Sequence, residues 1–316
     1  MADRLVLAIV YICTRVKYGR LIRRFQRQEQ RRLDYILPHT YEGKFLWRKI
    51  FDRNPLFIET CDKLAAQHYA RSKIKGVQVA KLIWRGSDPD EITPQMLKDG
   101  AVLKANCGSG QAIVIPDGSP TRSQFSQEAR QWLRKGPFGL ALGEWPYAFG
   151  DNCLILEELL TTDGRPVEVE YKFHVAAGET ACVVVKRGSG QVNDGFLVLD
   201  RFGKAWTVTK SGKSMRADFD LPDEYLEMRQ MAEALGSEFD YVRVDLYLTD
   251  AGVYFSELTV FPSSGGGKLG HKDLEDLRNR QWDVRRSWFL SARQTGWRQA
   301  YANALRRHLD QIANTT

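Results

Sequence analysis

The chain has 316 residues, 43% hydrophobic and 27% charged, with a net charge of +7, ordinary values for a globular protein large enough to bury a core in two or more lobes. No apolar run approaches the roughly 18 residues of a membrane span, no basic n-region with a cleavage site opens the chain, and five scattered cysteines without a C-x-x-C pair suit reduced thiols; the protein reads as cytoplasmic. Residues 1–50 hold twelve Lys/Arg against four Asp/Glu, so the remainder is close to neutral.

In chain order, Leu5, Ile9, Ile12, Val16, Ile22 and Phe25 recur at helical spacing, interrupted at Gly19 and accompanied by eight basic residues between Arg15 and Arg32. A basic amphipathic helix over residues 5–32 suits an anionic membrane surface or an acidic partner, or else packs on its own domain with a solvated basic face. Nucleic acid is not expected, because no recognisable binding module accompanies the charge. Residues 58–74 read as one helix carrying Asp62, Lys63 and Arg71, and Val77 to Trp84 as one strand.

Lys104 lies near the end of a strand over Val102 to Ala105, followed by Asn-Cys-Gly108-Ser109-Gly110-Gln and a second strand at Ala112 to Ile115. Glycines let backbone N–H groups approach an anion and the lysine adds charge, although most such loops are plain hairpin turns. A helix spans Gln124 to Arg134, and a strand from Cys153 ends in Glu157-Glu158-Leu159-Leu160. Val167 to Val175 and Ala181 to Lys186 read as strands of one sheet. Glu170, Lys172 and His174 share a face of the first of these. A neighbouring Glu–Lys pair is most often a surface ion pair, and His174 reads as structural. A helix over Pro222 to Leu235 precedes a hairpin, and the tail is helical, with Trp297, Tyr301, Leu305 and His308 on one stripe.

The hairpin, Tyr241 to Pro262, is the most informative segment. Its alternation, with Asp250-Ala251-Gly252 as a three-residue loop, sets Tyr247 opposite Phe255, Asp245 opposite Glu257 and Arg243 opposite Thr259. Val242, Val244 and Leu246 then face the core. Two carboxylates directly opposite, roughly 5 Å apart at Cβ, repel. Mg²⁺ between them would remove the penalty, with Arg243 beside it to grip a phosphoryl group; the bland alternative is a wet sheet face with accidental charges.

The order of these pieces resembles the ATP-grasp superfamily, in its teichuronopeptide-biosynthesis (TupA-like) branch. The matching residues are Asp62-Lys63 with Arg71, LKANCGSG (103–110), GEWPY (143–147), LEELL (156–160), EYKF (170–173), Phe239 with YVRVDLY (241–247), and YFSELTVFP (254–262) before Gly265-Gly266-Gly267. The resemblance covers residues 58–268, and its last motifs are its most specific. It implies an α+β ATP-grasp fold in which two α+β subdomains clasp ATP, with a basic N-terminal helix and C-terminal helices added. The expected division is 1–50 basic segment, 51–95 N-terminal part of the grasp, 96–160 lid, 161–270 metal-binding part and 271–316 helical tail.

The resemblance also implies roles. Lys63 and Lys104 would serve the nucleotide, with Lys104 on its α/β-phosphates, and Gly108, Ser109 and Gly110 would cover the phosphates. Glu157, Glu158 and Leu160 would form the adenine-reading hinge, and Glu170 would contact ribose or metal. Lys172 and Arg243 would act on the transferred phosphoryl group, and Asp245 and Glu257 would hold Mg²⁺. Thr259 stands where many members carry Asn, which puts a second metal ion in doubt. The activity implied is a carboxylate–amine ligase working through an acyl phosphate, on a sugar uronic acid or amino acid, in cell-surface polysaccharide or peptide-conjugate synthesis. A kinase acting on a sugar hydroxyl and a non-catalytic nucleotide-binding module are the alternatives. The basic helix would suit work at the inner face of the cell membrane, and loops 136–152 and 187–204 would shape the acceptor pocket.

Overall fold

The computed structural model describes residues 2–116, 122–187, 195–210, 213–214, 219–267 and 271–314. Part of the second acceptor loop, 188–194, lies outside the described residues. Helix α1 (Ala2–Gln28) runs through a kink at Tyr18, where φ −112° and ψ 17° leave helical values. The apolar set read along it divides between two faces. Ile22 and Phe25 are buried, whereas Leu5, Ile9, Ile12 and Val16 are exposed. The six-residue step from Val16 to Ile22 turns a helix through about 600°, which carries Ile22 off the face of Val16.

Helix α2 (Tyr41–Phe51) starts at Thr40, whose Oγ1 accepts from the Gly43 N–H, and every one of its residues is buried. The helix expected over 58–74 is instead two, α3 (Leu56–Cys61) and α4 (Lys63–Lys73). Asp62 separates them because its carboxylate caps α4 by accepting from the Ala65 N–H. Likewise, the strand expected over 77–84 divides into β1 (Gln78–Val79) and β2 (Leu82–Gly86). β1 pairs with the large sheet and β2 with the small one, so the chain passes between sheets at Ala80-Lys81. The short α5 (Pro94–Leu97) leads to β3 (Ala101–Ala105), β4 (Ala112–Ile115), α6 (Arg122–Arg134) and β5 (Leu154–Glu158). The small sheet has the order β2-β5-β3-β4. Leu103, Leu154 and Leu156 from its strands pack with Phe125, Ala129 and Trp132 of α6.

A minimal ribbon, β6 (Thr161–Thr162) with β7 (Arg165–Pro166), precedes β8 (Val169–Ala176), β9 (Glu179–Arg187), β10 (Gly195–Leu199) and β11 (Ala205–Trp206). A second ribbon, β12 (Thr209–Lys210) with β13 (Lys213–Ser214), precedes α7 (Tyr225–Gly236), β14 (Val242–Thr249) and β15 (Gly252–Thr259). The seven-stranded sheet has the order β1-β15-β14-β8-β9-β10-β11. Helix α7 lies against it, and Gly236 allows the close approach, since a Cβ there would stand 2.5 Å from Val175 Cγ1.

The hairpin β14–β15 pairs Asp245 with Glu257 and Arg243 with Thr259 as expected, and Gly252 has a φ of +109°. Beyond Asp245 the register shifts, so Leu246, not Tyr247, faces Phe255, and Tyr247 faces Tyr254. A β-bulge at Ser256 inserts one unpaired residue into β15. The pairing continues to Thr249–Gly252, leaving a two-residue loop rather than three.

The tail comprises α8 (Lys272–Gln281), α9 (Trp288–Ser291) and α10 (Gly296–Ala313). Tyr301 and Leu305 of α10 are buried, and the Tyr301 hydroxyl accepts from Trp47 Nε1 and donates to the Ile36 carbonyl. Trp297 does not continue that stripe: it is 57% exposed in the first turn of α10, beside the Arg298 guanidinium.

Candidate functional site

Three neighbouring strands bring the hairpin acids together with the basic residues of β8. Lys172 stands opposite Asp245 and Asp245 opposite Glu257. These side chains share one face, while Val242, Val244 and Leu246 enter the core on the other. Arg243 holds Asp245 with two N–H groups, Nε to Oδ1 and Nη2 to Oδ2, each at 2.6 Å. The same Nη2 lies 3.0 Å from both Glu257 Oε1 and Thr259 Oγ1. Lys172 Nζ donates to Asp245 Oδ2 at 2.7 Å and pairs with Glu170 Oε2 at 2.5 Å. The two facing acids are therefore bridged by a guanidinium, which relieves their repulsion.

Burial works against the charge on Asp245, but Arg243 and Lys172 outweigh it and hold the carboxyl well below the usual range. Burial opposes the Lys172 ammonium too, yet Asp245 prevails and its pKa stands above that of an ordinary lysine. Glu170 moves the other way: burial pushes its carboxyl up despite Lys172. Three carboxylates thus meet two cations in this cluster, leaving one negative charge unmatched.

That surplus, an all-oxygen donor set and a Glu257 side chain still 29% exposed suit a hard cation. Among the described residues no three His, Cys, Asp or Glu side chains converge as a metal cage. The fit is therefore to an ion held by two carboxylates together with phosphate oxygens and water.

The small sheet supplies a second cluster. Lys104 Nζ on β3 donates to Glu157 Oε2 on β5 at 2.6 Å, and Gln67 Nε2 of α4 donates to the other carboxylate oxygen at 2.6 Å. The backbone of Glu157 is taken into the sheet between β2 and β3, so its carboxylate is what it presents. Glu158 accepts from the Lys81 N–H. Lys63 Nζ donates to the carbonyls of Ala105, Asn106 and Gly108 at 2.8, 3.3 and 2.7 Å, which holds the loop from beneath. In that loop Gly108 is buried, Ser109 and Gly110 are exposed, and Gly110 has a φ of +69°. Burial lowers the Lys63 pKa, and both Glu257 and Lys104 act on it electrostatically, so its ammonium lies within range of the two clusters. Leu160 lines a recess of about 210 Å³ with Glu158, Thr161, Asp250 and Tyr254, between the strand connection and the hairpin tip. Arg71 is exposed.

Several contributors have roles that the sequence reading did not assign. Asp62 Oδ2 accepts from Asn106 Nδ2 and the Asp151 N–H, fastening the helix break to both loops beside it. An N-cap acid three residues before Ala65 is the signal that would have marked it. Buried Lys49 donates to the Leu142 and Ser264 carbonyls, and Glu144 accepts from the Ser264 hydroxyl. Together they fix the turn at Ser263 and Ser264, whose φ of +50° and +55° are unusual for residues other than glycine.

A family model described as TupA-like ATP-grasp matches residues 43–277. No curated protein matches the chain. Among solved structures, the chain is similar to the ATP-grasp ligase PsnB complexed with a minimal precursor, at 12% identity and a TM-score of 0.40 over 83% of this chain and 62% of that one. It is similar to the D-alanine–D-alanine ligase of Bacillus anthracis complexed with ATP, at 12% identity and a TM-score of 0.42 over 81% and 68% of the two chains. It is similar also to an L-amino acid ligase of Bacillus licheniformis, at 12% identity and a TM-score of 0.41 over 83% and 49%. The chain thus spans less than two thirds of the length of PsnB and about half that of the L-amino acid ligase.

Proposed function

Because the chain belongs to the TupA-like ATP-grasp family and has the ATP-grasp fold, we propose that it is an ATP- and Mg²⁺-dependent carboxylate–amine ligase. The observation that supports this most is the bridged set Arg243–Asp245–Lys172–Glu257 on one sheet face, partly reachable at Glu257, with Lys63 in electrostatic reach of both it and Lys104. Phosphoryl transfer requires positioning and neutralisation of charge rather than a protein nucleophile, and this array offers both.

In this reading residues 51–95, 96–160 and 161–270 are the parts of the grasp. Lys104 and the loop Gly108–Gly110 contact the phosphates, the Glu158–Leu160 segment and its recess take the adenine, and Glu170 contacts ribose or metal. Asp245 and Glu257 would hold Mg²⁺, which supplies neutralisation of phosphate charge when bound. Arg243 and Lys172 steady the moving phosphoryl group. A substrate carboxylate oxygen attacks the γ-phosphorus, ADP departs, and the resulting acyl phosphate is attacked at carbon by an amine, releasing phosphate and forming an amide. The acid is a uronic acid or amino acid, and the product belongs to cell-surface polysaccharide or peptide-conjugate synthesis.

The test is ATP turnover with panels of acids and amines. Release of ADP and phosphate only when both partners are present, with an amide mass in the product, supports the ligase. ATP consumption without an amine, leaving a stable phosphoester, overturns it in favour of a kinase. An absence of binding heat with Mg²⁺ and an ATP analogue would point to a non-catalytic module.

A further inference from the structure

The outer side of α1 carries a row that the fold does not use. Leu5, Ile9, Ile12 and Val16 follow one another at steps of four, three and four, and are 63%, 51%, 61% and 81% exposed. Past the kink at Tyr18, Arg20, Arg23 and Arg27 follow at steps of three and four, all exposed and, among the described residues, without an ion pair. The opposite side anchors the helix. Val10, Thr14, Ile22 and Phe25 are buried, Tyr11 stacks on Tyr35, and Asp3 pairs with Arg307 of α10. Single exposed apolar residues are ordinary, but four in line form a strip about 16 Å long at 1.5 Å per residue, and the arginines lie beyond it on the far side of the kink.

We propose that this row is a docking face for an anionic phospholipid surface, met obliquely, with the Leu5–Val16 end among the acyl-chain boundary and the Arg20–Arg27 end at the phosphates. The row divides lengthwise into apolar and cationic halves, which matches the layered chemistry of that interface. A second copy of the chain fits poorly. Parallel pairing along the full row sets arginine on arginine, and antiparallel pairing sets arginine on the apolar strip. No helix among the described residues is long and apolar enough to cross a membrane, so the contact is interfacial. The charge argument agrees, because the basic excess of the chain is concentrated in its first fifty residues. The inference stands apart from the catalytic reading.

The test is co-sedimentation of the full chain with vesicles of phosphatidylcholine alone or mixed with phosphatidylglycerol. Binding is expected only to the mixed vesicles, to weaken with salt, and to fall at least about tenfold in Arg20→Gln/Arg23→Gln/Arg27→Gln. In Ile9→Ser/Ile12→Ser the binding that remains should be fully reversed by salt, because insertion is lost while attraction persists. Unchanged circular dichroism and melting of both variants keep the comparison fair, since every altered side chain is exposed. Equal binding to both vesicle types, or no binding, overturns the proposal. So does a dimer in light scattering that Ile12→Glu dissolves, which would assign the row to a second copy.

Discussion

The molecule contains two arginine–aspartate pairs of similar geometry in opposite surroundings. Arg48 on α2 reaches Asp240 at 2.6 Å with both side chains sealed from solvent, and it also meets the Val260 carbonyl and the rings of Phe45, Phe57 and Trp282. Asp240 also accepts from Trp282 Nε1. Arg243 and Asp245 are equally close, but Glu257 beside them stays open to water. The first pair is closed to solvent and ties α2 to the end of β15 and the tail. The second has surplus charge on a reachable face. Chemistry of the residue types does not separate a strut from a site here. Access does.

The sharpest way to break this contrast is to remove one partner from each pair. Arg48→Met leaves Asp240 buried and uncompensated, and we expect a loss of about 3–5 kcal/mol in urea unfolding. A loss below about 1 kcal/mol would show that the sealed pair is no strut. Asp245→Asn should lower ATP turnover by about 10²–10³-fold with the fold retained by circular dichroism. Wild-type turnover from that variant would remove the site from the hairpin.

Titration sharpens the same contrast through two carboxyls with opposite shifts. Asp52, at the end of α2, is fully buried, and burial, reinforced by Asp240, pushes its pKa to about 7. Raised above its unfolded value, it favours the folded state fully below about pH 4, and that contribution is lost as pH rises through 7. Asp52→Asn should flatten this slope and stabilise the protein at pH 8 by on the order of 2 kcal/mol. Asp245 is depressed, so its contribution is present above the unfolded carboxyl pKa and lost only as pH falls through a much lower folded value. Unfolding measured from pH 4 to 8 should therefore respond to substitution of Asp52 and not show an Asp245 slope. The smallest effect is expected at Trp297→Ala, within about 0.5 kcal/mol of wild type in the same unfolding experiment, because that ring lies outside the packed stripe of α10.

The alternation of β14 and β15 made it readable that Asp245 and Glu257 share a face, but their pairing was reached through a three-residue loop; the structure has a two-residue loop, and the bulge at Ser256 restores the register. The bulge escaped, although the spacing of Val253, Phe255 and Leu258 already breaks strict alternation. Helix α2 was hidden for a different reason. Its Glu42, Lys44, Arg48 and Lys49 look like surface charges within a basic segment, and only tertiary partners show them to be buried: Lys44 reaches the carbonyls of Asn279 and Trp282, more than two hundred residues away. The breaks at Asp62 and at Ala80-Lys81 were missed because apolar runs on either side joined smoothly, while the deciding features were the cap that Asp62 gives the Ala65 N–H and pairing with two different sheets. Polar contacts across long sequence separations leave no periodic trace.

The extra residue at Ser256 acts on β15 as a change of phase. On its hairpin side Val253 and Phe255 go inward, whereas past it Leu258 goes inward and Glu257 and Thr259 point out beside Arg243. Were Ser256 taken into the ladder in strict alternation, without the bulge, either Glu257 would turn among hydrocarbon or Phe255 into water. The bulged backbone at an uncharged serine outside the cluster therefore keeps an acid in it pointing outward.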